Sequence, residues 1–101
     1  MSIYQAVIIS CGARGQDFYL NAASTKSHFK HGSNSPGCLA NHLLKSGDNQ
    51  CMWHQEWRSQ EDLNQYMTSK HTAEHIKFVQ ENGMSFVVSF GSPTAKFLHK
   101  R

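Results

Sequence analysis

Hydrophobic and polar positions repeat in two rhythms along this chain, and the switches between them mark out its elements. From Ile3 to Cys11 the residues are mostly apolar and β-branched, and Gly12 ends the run, which predicts a short buried strand. From Gln16 to about His31 the spacing turns helical: Phe18, Ala22, Thr25 and Phe29 fall on one face. Gly32 and the run Ser33-Asn34-Ser35-Pro36-Gly37 end that helix. Cys38 to Lys45 predicts a second strand, joined through the turn formers Ser46-Gly47-Asp48-Asn49 to a third from Gln50 to Arg58, as a hairpin. Ser59-Gln60-Glu61-Asp62 has the form of a helix start, a capping hydroxyl with acids at the positive end of the dipole, and Leu63, Tyr66 and Met67 follow on one face. Ser69 caps another helical segment from about Lys70 to Gln80, carrying Ile76 and Val79, which Asn82-Gly83 ends. Met84 to Gly91 predicts a fourth strand. Ser92-Pro93 then closes a single domain over residues 1–92, leaving 93–101 as a short basic tail with Phe97 and Leu98.

The order β-α-β-β-α-β predicts an α+β fold of the ferredoxin-like kind, a four-stranded antiparallel sheet with helices on one face. Period-2 alternation puts Cys51, Trp53, Gln55 and Trp57 on one side of the third strand and Met52, His54, Glu56 and Arg58 on the other. The first strand is apolar on both sides, Val7 and Ile9 against Ala6 and Ile8. Helices cover only one face, so an apolar second face needs its own lid, and a second copy of the sheet supplies one. The expected partner is therefore the same chain, paired through sheet faces.

With 101 residues, 39% hydrophobic and 17% charged, the chain fits one soluble domain and not a disordered or membrane protein. Its longest apolar stretch, Ala6 to Ile9, is far short of the roughly 20 residues a bilayer needs. A formal charge of +3, scattered along the chain, makes no footprint for nucleic acid. An RNA recognition module shares this element order, but the third strand lacks that module's glycine and sets Glu56 among its aromatics. Cys11, Cys38 and Cys51 are odd in number without CxxC spacing, and Met1-Ser2-Ile3-Tyr4 has no charged start of a secretion signal, so a reduced cytoplasmic protein is expected.

Seven histidines stand out in so short a chain. His71 and His75 are four residues apart on a helix, a spacing that metal sites use, and His28 and His31 are three apart. Neither pair has a third ligand beside it, and no metal is expected. Gly12-Ala13-Arg14-Gly15 lacks the Lys and Ser or Thr of a phosphate loop and reads as a strand-to-helix turn, from which Arg14 can meet an anionic substrate.

Three segments together carry a family resemblance: Pro36-Gly37-Cys38-Leu39, then Trp53-His54-Gln55-Glu56-Trp57-Arg58-Ser59-Gln60-Glu61-Asp62-Leu63, then Met67-Thr68-Ser69-Lys70-His71. They resemble the Pro-Gly-Cys turn, Glu-x-Trp strand end, Ser-x-Glu-x-Leu helix start and Ser-x-His of the antibiotic biosynthesis monooxygenase (ABM) domain family. The resemblance implies a dimeric α/β barrel and a monooxygenase of small aromatics or quinols that needs no metal or flavin. The alternative is a non-catalytic dimer of the same fold that binds a small ligand or fulfils a stress or structural role. The strand glutamate of the family falls on Gln55, so no carboxylate stands there. A haem-degrading branch uses a first-strand Asn, a Trp and a His; here Tyr4 to Ser10 has no Asn, the Trp position falls on Tyr66, and His75 is about one residue out of place. Haem chemistry is not expected.

An oxygenase without a cofactor must bind an electron-rich ring, take a proton from it and hold the anion in a dry pocket. Tyr66 is the candidate hydrogen-bond donor to a phenolate, and His71 or His75 the base. Trp53 is the candidate aromatic wall, with Trp57 assigned to the core.

Overall fold

The computed structural model describes residues 2–90; the expected tail at 93–101, with Phe97 and Leu98, lies outside the described residues. Strands β1 (Ile3–Ser10), β2 (Cys38–Lys45), β3 (Gln50–Trp57) and β4 (Ser85–Phe90) form one antiparallel sheet in the order β2-β3-β1-β4. Helices α1 (Gln16–Asn21), α2 (Ala23–Ser33), α3 (Gln60–Met67) and α4 (Lys70–Glu81) complete it. This is the α+β, ferredoxin-like arrangement that the sequence predicts. Ser46 N–H donates to the Gln50 carbonyl at 2.9 Å to close the β2–β3 hairpin.

The alternation in β3 holds: Cys51, Trp53, Gln55 and Trp57 are buried, while the residues between them stay half-buried. Register carries the pattern across the sheet, with Gln5 opposite Gln55, Val7 opposite Trp53 and Ile9 opposite Cys51. A bulge at Leu39, between the paired Cys38 and Ala40, leaves that leucine 56% exposed on the edge strand.

One expectation needs correction. The single helix from Gln16 to His31 is two helices, broken at Ala22, whose backbone is extended (ψ 140°). Tyr19 and His28 are both buried, yet nine residues are about two and a half helical turns, which would set them on opposite faces of one straight helix. The break lets both face the core. The buried stripe of α2 is accordingly Thr25, His28 and Gly32, and Phe29, expected inside, is 39% exposed.

Both predicted caps form: Ser59 Oγ accepts from the Asp62 N–H and Ser69 Oγ from the Thr72 N–H, each at 3.2 Å. The turn before β2 is fixed by Gly37, at φ +82°. Any Cβ there would strike the Asp62 side chain, and the Gly37 carbonyl receives the Arg58 N–H at 2.7 Å.

Candidate functional site

The core is apolar at its two ends and polar between them. Ile9, Cys11, Tyr19, Cys51, Trp53, Val79 and Met84 make one cluster, and Trp57, Leu63 and Tyr66 the other. Gln5, Gln55, His28, Thr72 and His75 lie buried in the same core and line a cavity of about 40 Å³ together with residues of both clusters. That volume suits roughly two or three waters. Among its lining residues are Met67, Ile76, Phe86 and Val88, all half-buried, and no Lys, Arg, Asp or Glu.

Two tyrosine–imidazole pairs organise the polar layer. Tyr66 Oη is 2.7 Å from His28 Nε2, and Tyr19 Oη is 2.8 Å from His75 Nε2. Trp53 Nε1 donates to Tyr19 Oη at 2.7 Å, and His75 Nδ1 is 3.0 Å from Ser24 Oγ. His75 therefore has a partner on each nitrogen. Tyr66 is held by its backbone as well, since Ser69 Oγ and Thr72 Oγ1 donate to its carbonyl at 2.8 and 2.7 Å.

The four histidines of α2 and α4 stack pairwise. His28 lies on His75, with ring centroids 4.4 Å apart and planes 10° apart, and His31 lies on His71 at 4.3 Å and 9°. Burial pushes the His28 pKa down to about 3 and that of His75 down to about 4, with the neighbouring imidazoles adding to both shifts. Both rings are neutral at pH 7. Burial likewise raises Tyr66 to about 12, so its hydroxyl keeps its proton.

Tyr66, His75 and Trp53 all line the cavity. His71 and Arg14 do not. His71 borders a separate surface groove with Lys30 and Ser35, its Nε2 3.1 Å from Ser27 Oγ. Arg14 is exposed, its guanidinium 4.6 Å over the Phe18 ring. On α4 the row Thr72, His75, Ile76 and Val79 walls the cavity, and His71 lies on the neighbouring face; Arg14 lies in the turn after β1, outside the cavity. Gln5, His28 and Tyr19 belong to the site and were missed by sequence reasoning. A glutamine on the apolar stripe of a strand was the available signal for Gln5; His28 had none, because its facing depends on the helix break.

The residues present do not fit a metal or haem. Each stacked imidazole aims its Nε2 at a separate hydroxyl, and no group of three or more His, Cys, Asp or Glu among the described residues is placed around a common point. A macrocycle finds neither the room nor, on His75, a free nitrogen.

No family model and no curated protein matches the chain by sequence. Solved structures match it closely in three dimensions. The cofactor-independent oxygenase SnoaB from Streptomyces nogalater superposes with a TM-score of 0.74 over 90% of this chain and 91% of its own, at 10% identity. The fold is that of the antibiotic biosynthesis monooxygenases. A protein described by that family name gives a TM-score of 0.74 over 89% of this chain and 96% of its own, at 15% identity. A conserved Bacteroides thetaiotaomicron protein of unknown function, described as a possible oxidoreductase, gives 0.76 over 89% and 95%, at 16% identity. Within the ABM fold, the cavity lies between the helical layer and the sheet.

Proposed function

We propose that this chain is an oxygenase that acts without metal or flavin on a small electron-rich aromatic, an anthrone or quinol, in the cavity between helices and sheet. The observation that carries the reading is the pair of tyrosine–imidazole contacts on a core cavity whose lining holds no charged side chain. Likeness of fold to a cofactor-independent oxygenase supports it.

In this reading Tyr66 hydrogen-bonds the hydroxyl of a quinol, or of an anthrone in its enol form, and its own hydrogen passes to His28 Nε2 as that hydroxyl's proton reaches Tyr66 Oη. The imidazolium so formed is disfavoured by burial and becomes tolerable only beside the substrate anion, which ties proton transfer to a correctly seated ligand. The anion then reacts with dioxygen. For an anthrone the activated methylene becomes a carbonyl and one water leaves, so no outside reductant is required. A ring needs more space than about 40 Å³. Met67, unbranched and half-buried beside Gln5, is the side chain suited to yield it.

Oxygen uptake by metal-stripped protein on anthrone and a set of hydroquinones, with mass spectrometry of products, tests this. Addition of one oxygen atom is expected, with Tyr66→Phe lowering kcat by about 100-fold or more. Uptake no faster than buffer would sink the oxygenase reading. A non-catalytic small-ligand binder then takes its place, a reading favoured by the low basicity of His28 and His75.

We also propose that the chain pairs with a second copy through the sheet face away from the helices. Val87 there is 64% exposed and Leu44 50%, with Tyr4, Ala6, Ile8 and Met52 half-buried beside them.

A further inference from the structure

The polar network in the core can be oriented from its fixed members. Trp57 Nε1 only donates, so the Gln55 atom 3.2 Å away is Oε1. The same oxygen receives Gln5 at 2.9 Å, which therefore presents Nε2 and turns its Oε1 elsewhere. The far side of Gln55 gives the same answer. Asn41 donates Nδ2 to the Phe29 carbonyl at 3.1 Å, so its Oδ1 accepts from Gln55 Nε2 at 3.0 Å. Gln55 Nε2 also faces Tyr66 Oη at 3.4 Å, where the tyrosine accepts, which leaves His28 Nε2, 2.7 Å away, as the acceptor to which we assign the tyrosine's own hydrogen. The hydrogen of the neutral His28 ring is thereby on Nδ1.

Two ends of this network are left over. Gln5 Oε1, an acceptor, and His28 Nδ1–H, a donor, have no partner among the described residues, although Gln5 is 1% and His28 6% exposed. Both residues line the cavity. Thr25 Oγ1 and His71 Nδ1 are also unpaired, but neither residue lines it. Buried polar groups without partners are rare and costly, and a donor and an acceptor on one cavity are what a ligand with the complementary pair would satisfy.

We propose that Gln5 Oε1 and His28 Nδ1–H are the two anchors of the ligand. They select an uncharged planar compound that offers one hydroxyl or N–H to Gln5 and one carbonyl-type oxygen to His28. Charged analogues are excluded because no ionised side chain lines the cavity to balance them. Within the oxygenase reading this narrows the substrate to a hydroxylated anthrone, which carries both groups where a plain anthrone or a hydroquinone carries only one kind; it rests on that reading's choice of cavity, not on its oxygen chemistry.

The test is binding of para-hydroxyacetophenone to the intact protein under nitrogen, below the phenol's pKa. Acetophenone lacks the donor, para-ethylphenol lacks the carbonyl, and para-hydroxybenzoate is charged. The complete probe is expected to bind about tenfold or more tightly than each of the three. Gln5→Met, nearly isosteric, is expected to erase its advantage over acetophenone. Imidazole nitrogen NMR of the unmodified protein checks the second anchor without a variant: His28 is expected as the Nδ1–H tautomer, with that nitrogen shifting on binding. Equal affinity across the panel, no binding of any probe, or an Nε2–H tautomer at His28 would each overturn the proposal. Selective binding without oxygen uptake would sink the oxygenase reading and keep the anchors; uptake on anthrone without selectivity would do the reverse.

Discussion

At the scale of single residues, the site depends on groups that burial keeps uncharged. His28 and His75 ordinarily titrate near 6.5 and are pushed down to about 3 and about 4. Below pH 6.5 the unfolded chain takes up protons that the folded chain refuses, so stability falls as pH drops toward about 4 and levels off once the folded rings titrate. The groups bonded to or stacked on these rings, besides the two rings themselves, are the hydroxyls of Tyr19, Ser24 and Tyr66, the imidazole of His71 and the ring of Phe78, which offer no negative charge to offset protonation. A fall in Tm between about pH 7.5 and pH 5 is expected, smaller in His75→Gln; a flat Tm would contradict the burial of neutral imidazoles. Asp62 acts in a different window. Hydrogen bonds from Arg58 and Ser59 hold its carboxyl below 3.8, so its contribution is lost only at lower pH. Tyr66→Phe keeps the ring near Trp57 but strips His28 Nε2 of its donor, and a loss of about 1–3 kcal/mol is expected in urea denaturation.

Elements set these residues in place by how they start and where they break. Ser69 is at once the cap of α4 and a donor to the Tyr66 carbonyl, so the turn between α3 and α4 also holds the tyrosine. Ser69→Ala is expected to cost about 1 kcal/mol as a lost cap, and the same change at Ser59 a similar amount. Only the Ser69 variant should also perturb ligand affinity, which separates the two roles in a binding assay. Gly32 brings α2 close to Tyr66: a Cβ there would be 3.3 Å from Tyr66 Oη and 3.1 Å from Asn41 Nδ2. Alanine improves helix propensity by up to about 1 kcal/mol, yet Gly32→Ala is expected to gain less than that and to weaken ligand binding by crowding the hydroxyl. A full gain in Tm with unchanged binding would show that α2 can shift without consequence. The caps, the hairpin turn and the strand alternation were all legible in the sequence, because each depends on residues within about four positions. The break at Ala22 was not. No glycine or proline marks it, and its reason is the need to bury Tyr19 and His28 together.

For the whole molecule, the helices cover one face of the sheet and leave the other open, with Val87 and Leu44 exposed on it. The proposed homodimer is expected in sedimentation velocity, with Val87→Glu shifting the equilibrium toward monomer by placing a charge among apolar neighbours. A monomer at all concentrations would remove the partner and leave the open face as a solvated, mixed surface. The cavity lies on the helical side, so its tyrosine–imidazole pairs are formed within one chain.

Local rules in the sequence determined the four strands, the two helices after β3, their order and the inward row of β3, since periodicity and capping act over neighbouring residues. The same rules placed Tyr66, His75 and Trp53 on elements that meet. They could not say that Gln5 pairs with Gln55, fifty residues away, or that four histidines from two helices stack. Strand register fixed the first and the packing of α2 on α4 the second, and both are contacts between segments distant in the chain. Which nitrogen of His28 bears the proton is more remote still. The proposed assignment rests on a run of hydrogen bonds that begins at Trp57, and only the folded core brings that run together.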